Sequence, residues 1–355
     1  MTIASKAILY LSLSMVPAAC AISGYNHTMN DEVDELMKKY DGQVPGASVL
    51  VVRDGTPVVR RSWGVSDLEN HVSATPETNF RLASVTKQFT AAAILLLRED
   101  KKLSLDDRVR TWFPSLPKAL DSVTIEHLLT HTSGIIDYED LMPKGTTTQV
   151  HDADVLRLLE SADSTYFTPG SKYQYSNSGY SLLALIVEHA SGKRFATFLH
   201  DRIFAPLGMN NTVAYEQGFS TVANRAYGYT MKSGTWTRKD QSTTSAILGD
   251  GGIYSSIDDM AKWDAALYDA RLLSDESRQL AFTPHTATDN PDVKYGFGWR
   301  ITGETLWHSG ETSGFRNVII RYPSKRLTVV MLTNRDDPPP YETGLAIAKI
   351  FNGSH

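Results

Sequence analysis

A serine and a lysine stand three residues apart where a strongly apolar helix begins. Ser84 and Lys87 precede the run Ala91–Leu97, whose residues favour a helix and are apolar enough to be buried. Residues three apart share one face of a helix, so the Lys87 amine can reach the Ser84 hydroxyl. The free N–H groups and the dipole of a helix N-terminus favour negative charge at this point. The pattern predicts a nucleophilic serine activated by the lysine.

The same spacing occurs a second time, at Ser115 and Lys118. Pro114 and Pro117 flank this copy, and proline opposes a regular helical turn. Because nothing would hold the two side chains on one face, this copy carries no catalytic prediction.

A polar, turn-rich segment at 173–180 precedes an apolar helix that is predicted over Leu182–His189. Tyr175 and Asn177 lie in this segment, where their side chains can enter one cleft. The alternative is structural: Asn177 would cap the helix and Tyr175 would pack beneath it.

A third segment begins at His308 and continues through Ser309 and Gly310. Two runs with strand composition follow it, Asn317–Tyr322 and Leu327–Thr333. A glycine in such a strand lets a ligand backbone approach closely. The segment is therefore a candidate wall for a binding cleft.

Taken in this order, the three segments resemble the penicillin-recognising serine hydrolases, which include class C β-lactamases, DD-peptidases (D-Ala-D-Ala carboxypeptidases) and family VIII esterases. Ser84-Val85-Thr86-Lys87 matches Ser-X-X-Lys, Tyr175-Ser176-Asn177 matches Tyr-X-Asn, and His308-Ser309-Gly310 matches the third motif. Two accessory stretches, Leu128–Ile135 and Gly251–Ser256, are also similar to that family. The likeness covers the chain from about residue 30 to its C-terminus.

The resemblance implies an α+β fold, an α/β sandwich whose five-stranded antiparallel sheet is flanked by helices, with an inserted all-helical subdomain. The catalytic cleft would lie at their junction. We expect one serine hydrolase domain over 22–355, with an α/β part at about 30–80 and 290–355 and a helical part at about 81–289.

Local patterns add individual elements to this fold. Asp54-Gly55 lies between two strand-like runs, Ala47–Arg53 and Pro57–Trp63, which predicts a β-hairpin. Tyr295–Thr302 has the composition of a further strand. A helix is expected at Glu342–Phe351.

The resemblance also implies residue roles in acyl transfer. Ser84 would attack a carbonyl, while Lys87 and Tyr175 would move the proton, and which of those two is the formal base stays open. Asn177 would hold the acyl amide or Lys87. The oxyanion would bind the backbone N–H groups of Ser84 and Glu311. The remaining expected substrate-binding residues are His308, Ser309, Gly310 and Arg316.

Departures from the family pattern bear on the substrate. A tyrosine opens the second motif and no Glu-centred loop is found, so the class A mechanism is disfavoured. His308 stands where β-lactamases have lysine, and histidine is mostly neutral at pH 7. We therefore expect an esterase or DD-peptidase type of enzyme acting on esters or D-amino-acid amides and peptides. Arg316 is close enough to supply the missing positive charge, which leaves a class C-like β-lactamase as an alternative. A slow penicillin-binding or sensor protein is a second alternative, because the sequence does not show whether the acyl-enzyme is hydrolysed.

Other catalytic classes lack their defining residues. No serine has the two flanking glycines of an α/β-hydrolase elbow. His127 and His131 have the spacing of a zinc site, but the general-base glutamate would fall at Leu128. We expect packing for His127, a turn contact for His131, and no metal or organic cofactor.

Composition excludes some partners. The net charge of -5 gives no electrostatic reason to expect nucleic acid, and the single cysteine, Cys20, allows no intramolecular disulfide. Residues 1–21 have the layout of an export signal, with Lys6 before the apolar run Ala7–Val16. We expect a periplasmic or secreted protein, associated with a membrane only if Cys20 carries a lipid anchor.

Overall fold

The computed structural model describes residues 29–352. The predicted export signal, with Cys20, lies outside these residues and stays a prediction. Fifteen strands are formed in this part of the chain: β1 Ala47–Arg53, β2 Thr56–Trp63, β3 Val65–Asp67, β4 Val72–Ser73, β5 Phe80–Arg81, β6 Val213–Ala214, β7 Tyr229–Lys232, β8 Thr235–Arg238, β9 Ile253–Ser255, β10 Thr286–Ala287, β11 Lys294–Tyr295, β12 Arg300–Thr302, β13 Thr305–Thr312, β14 Phe315–Tyr322 and β15 Leu327–Thr333.

Most of the helices lie between β5 and β10. Within residues 29–352, none combines the length and apolar character needed to cross a membrane. The α-helices described there are α1 29–37, α2 Lys87–Glu99, α3 Val109–Trp112, α4 Ile125–Leu129, α5 Tyr138–Leu141, α6 Asp152–Glu160, α7 Asn177–Ser191, α8 Phe195–Leu199, α9 Ala205–Leu207, α10 Leu248–Gly251, α11 Ile257–Ala266, α12 Asp275–Phe282 and α13 Tyr341–Asn352.

The central sheet is antiparallel throughout and has the order β10-β11-β12-β13-β14-β15-β1-β2. The five strands of seven or eight residues, β13, β14, β15, β1 and β2, correspond to the expected five-stranded sheet. Three short strands extend one edge, so the sheet has eight strands rather than five. The predicted α+β fold class is confirmed.

Two local predictions have different outcomes. The hairpin at Asp54-Gly55 is confirmed, because β1 and β2 pair across a turn with φ angles of 49° and 78°. The single strand predicted at Tyr295–Thr302 is wrong. The chain there forms β11 and β12, which reverse through Gly298 with φ +76° and pair with each other.

The sheet is covered on both faces. On one face, apolar side chains of β1, β14 and β15 pack against α1 and α13, the two terminal helices described. On the other face, a larger core joins the sheet to the helical region. Helix α2 lies inside this larger core, and every residue from Lys87 to Leu97 is buried.

The helical region contains strands that sequence analysis did not anticipate. Strands β5, β9 and β6 form a three-stranded sheet, and β7 with β8 forms a separate hairpin. The insertion is therefore not all-helical. Strand β9 lies within the accessory stretch Gly251–Ser256 and pairs with β5, which leads into Ser84.

A buried ion pair ties α11 to the sheet. The Arg321 guanidinium donates to Asp264 through Nε at 2.6 Å, and the Thr328 hydroxyl donates to the same carboxylate oxygen at 2.8 Å. Arg321 and Asp264 are 0% and 1% exposed. Removing one partner of such a pair leaves an uncompensated charge in the core.

Asp264→Ala should lower the free energy of unfolding by about 3–5 kcal/mol, because it leaves the Arg321 charge buried without its carboxylate. Chemical denaturation measures this change. Glu35, which pairs with Lys38 where both side chains are exposed, is the control, and Glu35→Ala should cost less than about 1 kcal/mol. Equal, small losses in both variants would contradict the predicted role of the buried pair.

Candidate active site

Ser84 lies in the 3₁₀ turn Ala83–Thr86, between strand β5 and helix α2. The strand is held in place because the Asn317 side chain donates to the Arg81 carbonyl at 2.7 Å. Ala83 has a left-handed backbone with φ +51°. This conformation costs a non-glycine residue about 1–3 kcal/mol and clusters at functional sites. It turns the chain sharply immediately before the half-buried Ser84.

Lys87 is fully buried, and all three of its N–H donors have acceptors. Nζ donates to Ser84 Oγ at 3.1 Å, to Asn177 Oδ1 at 2.9 Å and to the Asp250 carbonyl at 3.1 Å. Lysine is among the residues that are almost never fully buried without a partner. The three acceptors provide such partners. The contact with Ser84 is the one that the Ser-X-X-Lys spacing predicted, because Lys87 lies one helical turn after Ser84.

Asn177 is the first residue of α7, and its side chain is directed at Lys87. The helix is capped instead by Ser176, whose hydroxyl accepts from the Gly179 N–H at 3.3 Å. The structural alternative for Asn177 is therefore wrong. Its Oδ1 accepts from Lys87 Nζ, which is one of the two contacts expected for it, and binding of an acyl amide stays a prediction.

The Tyr175 hydroxyl is buried and has no hydrogen-bond partner among the described residues. Its ring lies beside the buried lysine, with Nζ 4.8 Å from the ring centroid. The hydroxyl is therefore not engaged in a hydrogen bond within this part of the chain, while the ring packs among other aromatic side chains, including His131 and Tyr295.

Strand β13 brings the third motif against the nucleophile turn. A Cβ atom on Gly310 would lie 2.0 Å from the Leu82 carbonyl oxygen, so only glycine fits this crossing. Strand β12 pairs with β13 only as far as Trp307, so residues 308–312 of β13 pair with β14 alone. The free edge at 308–312 therefore faces the turn that carries Ser84.

His308 is 1% exposed and has both ring nitrogens occupied. Its Nδ1–H donates to the Ser309 carbonyl at 2.6 Å, so Nε2 accepts from the Tyr295 hydroxyl at 3.0 Å. Burial holds the pKa of His308 well below its usual range, and Arg300 and Lys87 add to this effect. The expectation of a neutral histidine at this position agrees with the structure.

The second cation that sequence analysis considered is already paired. Arg316 Nε lies 3.4 Å from Glu311 Oε2, and Nη1 donates to the carbonyls of Thr312 and Phe315 at 2.8 Å each. Arg300, which the sequence pattern did not single out, lies closer to the aromatic side chains, 5.5 Å from the Tyr175 ring centroid.

The predicted site residues thus fall into three groups. Ser84, Asn177 and Glu311 line one pocket, which we call the Ser84 pocket, and Lys87 lies beneath it. The others do not line this pocket: Tyr175 and His308 belong to the adjoining aromatic cluster, and Ser309, Gly310 and Arg316 lie on β13 and β14.

The Ser84 pocket contains carboxylates that sequence analysis missed. Glu139 and Asp250 line it together with Glu311, and Arg81 is the basic residue of its lining. The Arg81 guanidinium donates to the carbonyls of Ser245 at 2.7 Å and Gly251 at 3.3 Å. Asp250 directly precedes the accessory stretch Gly251–Ser256, which is the one sequence signal near it.

Burial and neighbouring carboxylates change the proton affinity of these acids. Burial raises the pKa of Asp250 to about 7, Lys87 opposes the rise and Asp152 adds to it. Burial also raises the pKa of Glu139, and Asp137 strengthens that rise. Each acid thus binds its proton more tightly than a free carboxyl group does.

The residues set aside by sequence analysis do not line the Ser84 pocket. Ser115 and Lys118 are exposed. His127 Nδ1 accepts from the Thr124 N–H at 3.3 Å, and His131 Nδ1 accepts from the Ser176 N–H at 3.1 Å. Among the described residues, no group of three or more metal-binding side chains is formed.

Comparison with known proteins gives one consistent match. A family model described as Beta-lactamase matches residues 29–351. The chain is 34% identical to Penicillin-binding protein 4* of Bacillus subtilis, over 84% of this chain and 70% of that protein. It is 30% identical to the D-aminopeptidase of Gluconobacter oxydans, over 85% of this chain and 58% of that protein, less than two thirds of its length. The octameric penicillin-binding protein homologue from Pyrococcus abyssi has a similar structure, with a TM-score of 0.81 and 27% identity over 93% of this chain and 78% of that chain.

The free energy of unfolding of Asp250→Asn, relative to that of the wild type, should increase as the pH rises from about 4 to about 7. An unfolded aspartate loses its proton near pH ~3.9, whereas the folded protein keeps the Asp250 proton until about pH 7. Over this window the wild type loses stability that the amide variant retains, up to about 4 kcal/mol. Urea denaturation at several pH values measures the difference.

Asp269 provides a control with the opposite shift. Arg271 lowers the pKa of this exposed carboxyl group to about 2. Asp269→Asn should therefore show a constant difference from the wild type between pH 5 and pH 8. A constant difference for Asp250→Asn as well would contradict the predicted protonation of the pocket.

Proposed function

The chain belongs to the Beta-lactamase family of serine hydrolases, and we propose that it cleaves amide bonds in D-amino-acid amides or short peptides that carry a free amino group. The family match confirms the resemblance predicted from the three motifs. The contact between the buried Lys87 amine and the Ser84 hydroxyl supports the proposed acyl transfer. The carboxylates of the Ser84 pocket support the proposed substrate class.

In the first step, Ser84 Oγ attacks the substrate carbonyl carbon and a tetrahedral oxyanion forms. In the reactive form the Lys87 amine presents a lone pair to Ser84 Oγ in place of its third N–H, and it takes the hydroxyl proton across the 3.1 Å contact between Nζ and Oγ. The backbone N–H groups of Ser84 and Glu311 bind the oxyanion, because the free edge of β13 faces the nucleophile turn.

In the second step, the tetrahedral adduct collapses and the carbon–nitrogen bond breaks. The leaving amine receives a proton from the Tyr175 hydroxyl, which Lys87 replenishes from its ammonium form. The products of this stage are a free amine and an ester of Ser84. Water then attacks this ester by the reverse proton route and releases the carboxylic acid.

The pocket lining favours a positively charged group on the substrate. Glu311 is paired with Arg316, whereas neither Glu139 nor Asp250 forms an ion pair among residues 29–352. Glu139 is on the exposed rim, where a substrate enters. We propose that its carboxylate binds the α-ammonium group of the substrate by a charge-assisted hydrogen bond.

Two further observations support amides over β-lactams. A β-lactam carries a carboxylate, which the unpaired Glu139 carboxylate would repel and which neutral His308 cannot attract. The D-aminopeptidase relative is 30% identical to this chain. Its name supports a D-configured amino-acid substrate, and the Penicillin-binding protein 4* relative keeps penicillin binding as the alternative to be tested.

Ser84→Ala should abolish labelling by a fluorophosphonate and lower kcat by about 10⁴-fold or more, because it removes the nucleophile. Mass spectrometry of the digested protein identifies the labelled residue, and thermal melting confirms folding. Ser115→Ala, at the other Ser-X-X-Lys spacing, is the matched control and should leave both labelling and kcat unchanged.

An adduct on another serine, or full activity in Ser84→Ala, would overturn the proposed mechanism. A burst of one product equivalent per enzyme without steady turnover would instead favour the penicillin-binding or sensor alternative.

Glu139→Gln should reduce the preference for a free amino group about tenfold, because it removes the charge that binds the ammonium. The measurement is the ratio of kcat/KM for D-phenylalanine p-nitroanilide to that for its N-acetyl derivative. Asp140→Asn removes a charge from the neighbouring residue of α5 that does not line the pocket, and it should leave the ratio within about twofold.

A wild-type ratio near one, or an unchanged ratio in Glu139→Gln, would reject recognition of the amino group. Nitrocefin in the same panel tests the β-lactamase alternative. Nitrocefin hydrolysis faster than that of the D-amino-acid anilide by orders of magnitude would reject the proposed substrate class.

A further inference from the structure

His131 holds the backbone on both sides of Tyr175. Its carbonyl oxygen accepts from the Gln174 N–H at 2.9 Å, and its ring Nδ1 accepts from the Ser176 N–H at 3.1 Å. One residue thus binds both amides that flank the tyrosine. Two further bonds join the same turn to the chain leading to Tyr175, from Tyr166 N–H to the Gly134 carbonyl and from Gly170 N–H to the Thr132 carbonyl, at 2.8 Å each.

The His131 ring also lies against the Tyr175 ring. Their centroids are 4.2 Å apart and their planes differ by 34°. His131 is 1% exposed, and Tyr180 and Tyr295 border its ring at 5.1 Å and 4.6 Å. The tyrosine ring therefore packs against a side chain that cannot move away into solvent.

The backbone of His131 is strained in the conformation that permits these contacts. Its φ angle is +59°, which is uncommon for any residue other than glycine. Such strain persists only where the surrounding structure holds it in place, and it clusters at functional sites. In His131 the carbonyl of this strained backbone accepts the hydrogen bond from Gln174, and the ring accepts the one from Ser176.

The ring is neutral in this environment. Because Nδ1 accepts a hydrogen bond from an amide, the ring proton is on Nε2, which has no hydrogen-bond partner among the described residues. Burial holds the pKa of His131 well below its usual range, and Lys87 and His308 strengthen the effect. A charged imidazole would lose the Nδ1 acceptor and with it the bond to Ser176.

These contacts matter because no hydrogen bond within residues 29–352 holds the Tyr175 hydroxyl. That group is buried and makes no hydrogen bond to another described residue. Its position depends on the contacts of the Tyr175 ring and of the neighbouring backbone, and His131 contributes to both. We propose that His131 is the positioning residue for Tyr175, which sets the distance over which Tyr175 transfers a proton to the leaving group. This inference rests on the proposed function, in which Tyr175 carries that proton.

His131→Phe keeps the ring but removes the Nδ1 acceptor. We expect kcat to fall about 10²-fold with KM within about threefold, because a small misplacement of a reacting group has this scale of effect. His131→Asn offers an acceptor oxygen close to the position of Nδ1, and asparagine tolerates positive φ. It should keep kcat within about tenfold of the wild type.

A double-mutant cycle with Tyr175→Phe separates positioning from general stability. If His131 acts through Tyr175, His131→Phe should cause almost no further loss of kcat in the Tyr175→Phe background. His127→Phe is the matched control, since His127 also accepts a backbone N–H through Nδ1 but is not part of the aromatic cluster. It should lower the melting temperature to a similar extent and leave kcat unchanged.

Three outcomes would overturn the inference: an unchanged kcat in His131→Phe, losses that multiply in the double variant, or a loss in His131→Asn as large as that in His131→Phe. If a variant fails to fold, amide hydrogen exchange on the wild type still tests the inference. The N–H groups of Gln174 and Ser176 should be protected, and exchange at the rate of unbonded amides would also overturn it.

The proposed function fails by different results. Activity in Ser84→Ala contradicts the acyl-enzyme, and full activity in Tyr175→Phe contradicts proton transfer by Tyr175 together with its positioning by His131. If Tyr175→Phe lowers kcat and His131→Phe does not, the inference about His131 is rejected and the proposed function still stands.

Discussion

The burial of the Lys87 amine is the constraint on which the site depends. A buried amine requires a hydrogen-bond acceptor for each of its donors, because an unpaired buried charge is costly. Its three acceptors come from separate parts of the chain: the Ser84 hydroxyl one turn earlier, Asn177 at the start of α7 and the Asp250 carbonyl in α10. The packing of α2, α7 and α10 therefore fixes the position of the amine relative to the nucleophile.

The same site requires unusually close contacts between backbones. Gly310 crosses the nucleophile turn where a Cβ atom would lie 2.0 Å from the Leu82 oxygen, and Gly298 crosses α2 where a Cβ atom would lie 2.7 Å from the Lys87 oxygen. Ala83 and His131 adopt left-handed conformations nearby. Strain of this kind is retained where the surrounding fold over-determines the geometry. The sheet and the helical region thus meet at glycines and strained residues that surround the reacting groups.

Sequence patterns predicted the parts of the site that follow from local spacing. The Ser84–Lys87 contact needs only one helical turn, and the hairpin at Asp54-Gly55 needs only two residues with positive φ. Glu139 and Asp250 could not be found in this way, because their place in the pocket depends on how distant helices pack. The three extra strands of the eight-stranded sheet were missed for another reason. They are two or three residues long, which is too short for a recognisable alternation of apolar and polar residues.

Several basic side chains lie near the cleft, but they already contact groups within the protein. Lys87 and Arg81 donate to acceptors within the protein, and Arg316 is paired with Glu311. Arg300 lies against aromatic rings and does not line the Ser84 pocket. His308 is neutral because it is buried and both of its nitrogens are bonded. The basic groups are thus committed to internal contacts, whereas Glu139 forms no ion pair among the described residues and is exposed, so its carboxylate is the charged group of the pocket that stays available to a substrate.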